Sequence, residues 1–186
     1  MSTPQSKQSI QAALVELTTS TIDVHRLLGH VSHPDAGGQV LFIGSTRQTT
    51  KGQSEMASSC GQHSTVQCTH TQYLVYEAYQ EMAEQKLHEL AQQAQQQWPL
   101  QAVAISHRLG KVLPGEASIA IAVSSAHRHE AYVASRWLID SIKQQVPIWK
   151  QEHYVDSSAQ WIHPKELDAS ESCDAAFFGN SCEGSQ

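Results

Sequence analysis

Residues 124–150 read SSAHRHEAYVASRWLIDSIKQQVPIWK, and this stretch determines how the rest of the chain is organised. After His127 and Arg128, apolar residues recur every three or four positions as far as Lys143. This spacing predicts an amphipathic helix with one buried face. Pro147 cannot continue a helix, so the residues around Lys150 are predicted to begin a strand.

The start of this helix is a candidate anion site. A helix N-terminus presents free N–H groups and a positive dipole end, and Ser124 or Ser125 is expected to cap it. His127 and Arg128 add side-chain donors at the same place, which suits a phosphate or a carboxylate. The alternative is that Arg128 pairs with a surface carboxylate and His127 packs as a structural histidine.

Three further cations are candidates, although each has an ordinary interpretation as a charge at the end of an element. Lys143 lies in the last helical turn, where a cation is favourable anyway, and Lys150 lies on the following strand. Arg47 follows residues 40–44, which are predicted to form a buried strand. Arg128 and Lys143 are about 22 Å apart along the helix, too far for one small ligand. Either two separate sites exist, or two copies of the chain complete each other's site in a C2 dimer.

Composition limits the class of protein. The chain has 186 residues and a formal charge of -6, which fits one domain and argues against a nucleic-acid binder. No apolar run is long enough for a membrane span, and the first residues lack the apolar core of a signal peptide. We therefore expect a cytosolic protein with a domain at 9–167. The N-terminus at 1–8 and the acidic tail at 168–186 are expected to be disordered.

Residues 48–71 are rich in Ser, Thr, Gln and Gly and are predicted to be a mobile insertion. The alternative is a zinc site, for which the candidate ligands are Cys60, His63, Cys68 and His70. Their spacing does not fit the usual paired ligands of structural zinc sites, so no metal is expected. A disulfide framework is also not expected for a cytosolic chain of this length.

Predicted helices and strands alternate along the chain. Strands are predicted at 12–17, 40–44, 73–79, 102–106, 117–123 and 148–155, and helices at 23–31, at 80–98 and after Ser125, with Thr19 to Thr21 as a cap for the first. Residues 117–123 alternate bulky and small side chains, which predicts a core face and a face that another element approaches closely. Several connections are too short for parallel crossovers, so we expect an α+β fold with a largely antiparallel sheet.

Several motifs occur together, in order, between about residues 40 and 161: FIGSTR, LVYEAYQEMAE, ISHRLGKVLPGEASI, VSSAHRHEAY and LIDSIKQQVPIWKQE. With them the sequence resembles the large, catalytic subunit of molybdopterin synthase. The wording VSSAHR and VPIWK is closer to eukaryotic members of that family. The insertion at 48–71 is unusual for the family.

The resemblance implies a single-domain α/β hammerhead fold with an additional, largely antiparallel sheet. It also implies an enzyme that inserts two sulfurs into precursor Z, a cyclic pyranopterin monophosphate, to make the molybdopterin dithiolene. The sulfur would come from the C-terminal Gly-Gly thiocarboxylate of a small ubiquitin-like subunit. The expected assembly is a heterotetramer of two large and two small subunits, and no cofactor is expected.

The resemblance assigns roles to residues that match the family's motifs. Lys143 and Lys150 match catalytic pocket lysines that also bind substrate. The other expected substrate-binding residues are Arg47, His127, Arg128, Gln151 and Glu152. Gln151 replaces a residue that is often basic. The alternative is a non-catalytic module that binds a ubiquitin-like tail without performing chemistry.

Overall fold

The computed structural model describes residues 11–51, 68–156 and 158–162. The N-terminal segment 1–8 and the acidic tail 168–186, both predicted to be disordered, lie outside the described residues. So does most of the predicted insertion at 48–71, including Cys60 and His63 of the alternative zinc site. The two ends of that insertion are described, and both are strands.

Nine strands and three helices make up the described part of the chain. They are β1 (Leu14–Thr18), α1 (Val24–Val31), β2 (Gly38–Ser45), β3 (Thr49–Lys51), β4 (Cys68–Ala78), α2 (Gln80–Gln97), β5 (Leu100–Arg108), β6 (Gly110–Val112), β7 (Ala117–Ser125), α3 (Arg128–Gln145), β8 (Ile148–Tyr154) and β9 (Ala159–Ile162). They form two sheets, so the expected α+β class is confirmed.

The first sheet has four strands in the order β1-β5-β7-β2, with β5 and β7 at its centre. The bulky side chains of β7, such as Ile121, belong to a core shared with α2 and α3. The small ones, Ala120 and Ala122, pack with Leu27 of α1 on the other face. The two faces predicted from the alternation in 117–123 are therefore confirmed, and α1 is the element that approaches closely.

Two local predictions, one about this sheet and one about the helix α1 that packs on it, are wrong. The strand predicted at 40–44 is not buried: β2 is an edge strand, and Ile43 remains 43% exposed. The cap of α1 is not one of Thr19 to Thr21. The Asp23 side chain accepts a hydrogen bond from the Arg26 backbone N–H, because Asp23 directly precedes the first helical turn.

The second sheet has the order β3-β4-β8-β9, and β6 pairs with β4 as well. Tyr76 of β4 meets His107 of β5 edge-to-face at 5.3 Å, which brings this sheet against the first one. Among the described strands only β1 and β5 pair in parallel, so the largely antiparallel arrangement is confirmed. None of the three described helices is long and apolar enough to cross a membrane.

Candidate anion-binding site

The N-terminus of α3 is built differently from the prediction. Ser124 and Ser125 do not cap the helix, because both are the buried last residues of β7. The Ser125 hydroxyl instead donates to the Pro99 carbonyl at 3.0 Å. The N-cap residue is His127, in an extended conformation and without a side-chain capping bond. The first N–H groups of α3 are therefore left for another acceptor.

Two glycines let β2 pass close beneath this helix start. A Cβ built on Gly38 would lie 2.9 Å from the Arg128 Cα, and one built on Gly37 would overlap the Ala126 carbonyl oxygen. Only glycine has no Cβ, so only glycine allows this approach. The start of β2 therefore fixes the position of His127 and Arg128 on the first sheet.

A cavity of about 430 Å³ opens at this end of α3, lined by His127, Arg128, His129 and Tyr132. Free backbone N–H groups, the helix dipole, an imidazole and a guanidinium meet there, and all of them favour a bound anion. Sequence reasoning missed His129 and Tyr132. Tyr132 lies four residues after Arg128, so helical spacing alone would have placed it on the same face. We call this cluster the histidine end.

The opposite end of α3 carries Lys143, which is exposed in the last helical turn as predicted. Val146 ends the helix, and the chain enters β8, which places Lys150 on an inner strand between β4 and β9. Lys143, in the last turn of α3, also complements the negative end of the helix dipole.

Lys150 is held by a buried carboxylate. Its Nζ atom lies 2.9 Å from Oε1 of Glu152, and the two side chains are only 21% and 4% exposed. The other oxygen of Glu152 accepts a hydrogen bond from the Tyr154 hydroxyl at 3.0 Å. Lys150, Glu152 and Tyr154 are alternate residues of one strand, so they share one face of the sheet. Sequence reasoning missed Tyr154, although this spacing indicates it.

Gln151 is not brought to that face. It lies between Lys150 and Glu152 in an uninterrupted stretch of β8, so its side chain points to the other face of the sheet. There its Oε1 lies 3.0 Å from Nε2 of His153. The structure therefore separates Gln151 from the other predicted substrate-binding residues of β8.

Tyr76 connects Lys150 with the first sheet. It lies directly opposite Lys150 in the register of β4 and β8. Burial raises the pKa of the Tyr76 hydroxyl, and the nearby side chain of Ser118 on β7 acts in the opposite direction. Ser118 in turn donates to the carbonyl of Gly44 at 3.2 Å. A chain of contacts thus leads from Lys150 to the end of β2, three residues before Arg47.

The backbone before Arg47 is clamped. The Thr46 N–H donates to the Glu116 carbonyl, and the Gly115 N–H donates to the Thr46 carbonyl. Glu116 is itself fixed by Arg108, whose guanidinium lies 3.1 Å from its carboxylate. Arg47 therefore leaves a well-held strand end with its side chain exposed. Sequence reasoning did not find this clamp, because it joins Thr46 to residues 115 and 116, far along the chain.

The predicted cations therefore fall into two clusters. The second cluster, which we call the lysine end, consists of Arg47, Lys143 and Lys150. Ser118 and Ser125 lie at opposite ends of β7, about 24 Å apart for an extended strand. Because α3 packs on β2 and β7 and returns along them, its last turn comes back toward the Ser118 end. One chain thus carries cationic side chains toward both ends of α3.

The fold and these two clusters define the class: an α+β protein that carries cationic side chains toward both ends of one helix. The chain belongs to the MoaE protein family, which it matches over residues 17–145, and this makes it an enzyme of molybdenum-cofactor biosynthesis.

Relatives from several kingdoms support this membership. A molybdopterin synthase catalytic subunit from Halalkalibacterium halodurans is 40% identical over 141 residues, covering 76% of this chain and 80% of the relative. One from Bos taurus is 36% identical over 153 residues, covering 82% and 68%. The bacterial identity is the higher of these two.

Solved structures share the fold. Molybdopterin synthase from Staphylococcus aureus superimposes with a TM-score of 0.68 at 33% identity, covering 79% of this chain and 95% of that chain. A complex of subunits 1 and 2 of the molybdopterin-converting factor from Helicobacter pylori gives a TM-score of 0.58, covering 83% and 92%. At 20% identity the second likeness shows the fold alone.

Proposed function

We propose that the chain transfers sulfur from the C-terminal thiocarboxylate of a small ubiquitin-like subunit to precursor Z, giving the molybdopterin dithiolene. The observation that carries this proposal is the pair of cationic half-sites in a chain whose formal charge is -6. The thiocarboxylate, the phosphate and the oxyanion that develops during acyl transfer are all negative. Fixed cations stabilise such charge where water is excluded.

The lysine end is the proposed reaction centre. Lys143 takes part directly, as an acid or base or as the group facing the acyl carbon. Lys150 and Arg47 hold the thiocarboxylate and the pterin. The pairing of Lys150 with Glu152 keeps its ammonium group near the site, since a long side chain without a partner samples many rotamers.

The histidine end is the proposed phosphate site. His127 and Arg128 bind the phosphate of the pterin together with the free N–H groups of α3. Because this end lies about 22 Å from Lys143 along the helix, the phosphate site that serves one lysine end belongs to a second copy of the chain. Two copies and two small subunits then make a heterotetramer with two composite sites.

The partner is proposed to be the sulfur carrier. A thiocarboxylate on a Gly-Gly tail is narrow and anionic, so it can enter a cationic pocket end-on. Gln151 faces away from Lys150, so the proposed pterin site does not include it. No cofactor is needed, because the carrier supplies the sulfur, and we place the reaction in the cytosol.

Reconstitution tests this function. Purified protein is mixed with thiocarboxylated small subunit and precursor Z, and dithiolene product is measured alongside complex formation. We expect product with the thiocarboxylated carrier. The matched control is the same carrier with an ordinary carboxylate, which should bind and give no product.

The two other interpretations predict different results. Complex formation without product from the thiocarboxylated carrier would leave only a module that binds a ubiquitin-like tail. A zinc-dependent activity would require stoichiometric zinc in purified protein. Among residues 11–51, 68–156 and 158–162, no three His, Cys, Asp or Glu side chains are placed to hold a metal ion.

A further inference from the structure

Glu152 is a buried carboxylate, whereas the other Asp, Glu, Lys and Arg side chains that the structure describes reach solvent. It is 3% exposed and lies on β8, paired with Leu74 of β4 on one side and Gln160 of β9 on the other. A carboxylate removed from water is costly unless both of its oxygens find partners. Here one oxygen faces Lys150 Nζ and the other accepts from the Tyr154 hydroxyl.

The sheet fixes the backbone of Glu152, but it does not fix its carboxylate. The side chain can still rotate, and a rotated carboxylate would move Lys150 with it, because their contact is 2.9 Å long. The bond from Tyr154 at 3.0 Å is the second anchor that selects one orientation. Two anchors on opposite oxygens define the plane of the group, whereas one anchor leaves it free to turn.

Tyr154 is a suitable anchor over the whole working pH range. Burial, together with the bond to Glu152 and its negative charge, raises the pKa of Tyr154 to about 12. The phenol therefore keeps its proton and remains a donor. Its position as the last residue of β8 is fixed by its own backbone N–H, which donates to the Ser158 carbonyl at 2.9 Å.

We propose that Tyr154 is a positioning residue of the sulfur-transfer site: its hydroxyl fixes the Glu152 carboxylate, and that carboxylate places the Lys150 ammonium. The role attributed to Lys150 rests on the proposed function. The link from Tyr154 through Glu152 to Lys150 is geometric and can be measured in the absence of any substrate.

The variant Tyr154→Phe tests this link, because it removes the hydroxyl and keeps the ring. The matched control is Tyr73→Phe, on β4 of the same sheet. The ring of Tyr73 stacks on His153 at 4.4 Å and lies under Lys111, and both contacts survive the substitution. Alternation along β4 and β8 puts Tyr73 on the face away from Lys150.

The first readout is the reactivity of individual lysines. Free protein is treated briefly with an amine reagent, and the modification rate of each lysine is measured by mass spectrometry. In Tyr154→Phe we expect Lys150 to react several-fold faster, because its carboxylate partner is loosened. Lys86, which pairs with Glu89 on the surface at 3.1 Å, serves as an internal reference and should not change.

The second readout is catalysis by the reconstituted complex. We expect Tyr154→Phe to lower kcat/KM for the pterin about tenfold, the order expected for a lost hydrogen bond to a charged group. In a Glu152→Gln background the same substitution should have little further effect, because Tyr154 acts through Glu152. Tyr73→Phe should leave kcat/KM unchanged.

The outcomes separate this link from the proposed function. Unchanged Lys150 reactivity in Tyr154→Phe would overturn the proposal, and so would independent, additive effects of the Tyr154 and Glu152 substitutions. If wild-type protein transfers no sulfur while Lys150 reactivity still rises in Tyr154→Phe, the proposed function fails and the positioning link stands.

Discussion

At the scale of single residues, the two sheets meet at His107, and burial favours the neutral form of its imidazole. His107 is 6% exposed, lies edge-on to Tyr76, and its Nδ1 donates to the Arg108 carbonyl at 3.0 Å. Burial lowers the pKa of His107 from 6.5 to about 4. A proton on this ring would therefore have to be accommodated away from water, between two sheets.

His107 is predicted to make the protein acid-sensitive. Because the pKa of His107 is lower in the folded state, its contribution to stability is complete above about pH 6.5 and is lost as the pH falls toward about 4. The pKa difference corresponds to about 3 kcal/mol of unfolding free energy. His107→Asn, which keeps a donor for the Arg108 carbonyl, should remove this dependence. Urea unfolding between about pH 7 and pH 4.5 measures it.

The control for this titration is His88→Asn on α2, where the histidine is exposed. Its unfolding free energy should follow that of the wild type at every pH. Carboxylates add their own acid sensitivity to all three proteins, so the informative quantity is the difference in slope between variants. Parallel curves for wild type and His107→Asn would contradict the prediction.

At the scale of elements, the contact between β2 and the start of α3 positions His127 and Arg128, the residues of the proposed phosphate site. Gly38→Ala places a methyl group against the Arg128 backbone, which cannot move without shifting the helix. We expect a loss of about 1–3 kcal/mol of stability, as for overpacking elsewhere. We also expect a higher KM for the pterin, because His127 and Arg128 move together. Urea unfolding and steady-state kinetics measure the two effects.

Gly29 on α1 provides the matched control. A Cβ added there meets nothing within 4 Å. Gly29→Ala should therefore stabilise the protein by about 0.5–1 kcal/mol, since alanine favours a helix interior over glycine. It should leave KM unchanged. Equal effects of the two substitutions would mean that the contact at Gly38 does not position the helix.

The helices and central strands could be predicted from sequence because their periodicity is a local property. The alternation in β7 predicted its two different faces, and the spacing in α3 predicted a buried face, which carries Ala131, Ala134, Leu138 and Ile142. The errors came from pairing, which is not local. An apolar run such as 40–44 does not reveal whether its strand is central or at an edge, and the short strand β6 was not predicted.

The candidate site was predictable in part for the same reason. Cations next to helix ends are visible in a sequence, so the positions of His127, Arg128 and Lys143 at the two ends of α3 could be predicted. The contacts that hold these elements in place are not visible in a sequence. Glu116 forms an ion pair with Arg108 across a turn. Tyr76 of the second sheet lies near Ser118 of the first sheet. Such contacts depend on how sheets pack, which no spacing within a single strand encodes.

At the scale of the whole molecule, the two clusters cannot serve one small ligand within a single chain. The helix between them separates Arg128 from Lys143 by about 22 Å, and β7 spans a similar length. In the proposed dimer, a two-fold axis would bring the lysine end of each copy to the histidine end of the other. Tyr132 and Val133, both exposed on α3 beside the histidine end, are apolar surface that such a pairing can cover.

Mixed dimers test the shared site. Arg128→Ala and Lys143→Ala should each be nearly inactive alone. When they are co-refolded, half of the dimers are mixed, and each mixed dimer has one site with both groups intact. We therefore expect recovery to about a quarter of wild-type activity, which follows from random C2 pairing of the two chains. Sulfur transfer by the reconstituted complex is the measurement.

The informative control combines two variants from the same end. Lys143→Ala mixed with Lys150→Ala gives dimers in which both lysine ends are damaged, so no combination restores an intact site. Recovery with Arg128→Ala but not with Lys150→Ala requires that the two ends of one working site come from different chains. If neither mixture recovers activity while mixed dimers form, each site lies within one chain, and α3 must then bind two separate ligands at its two ends.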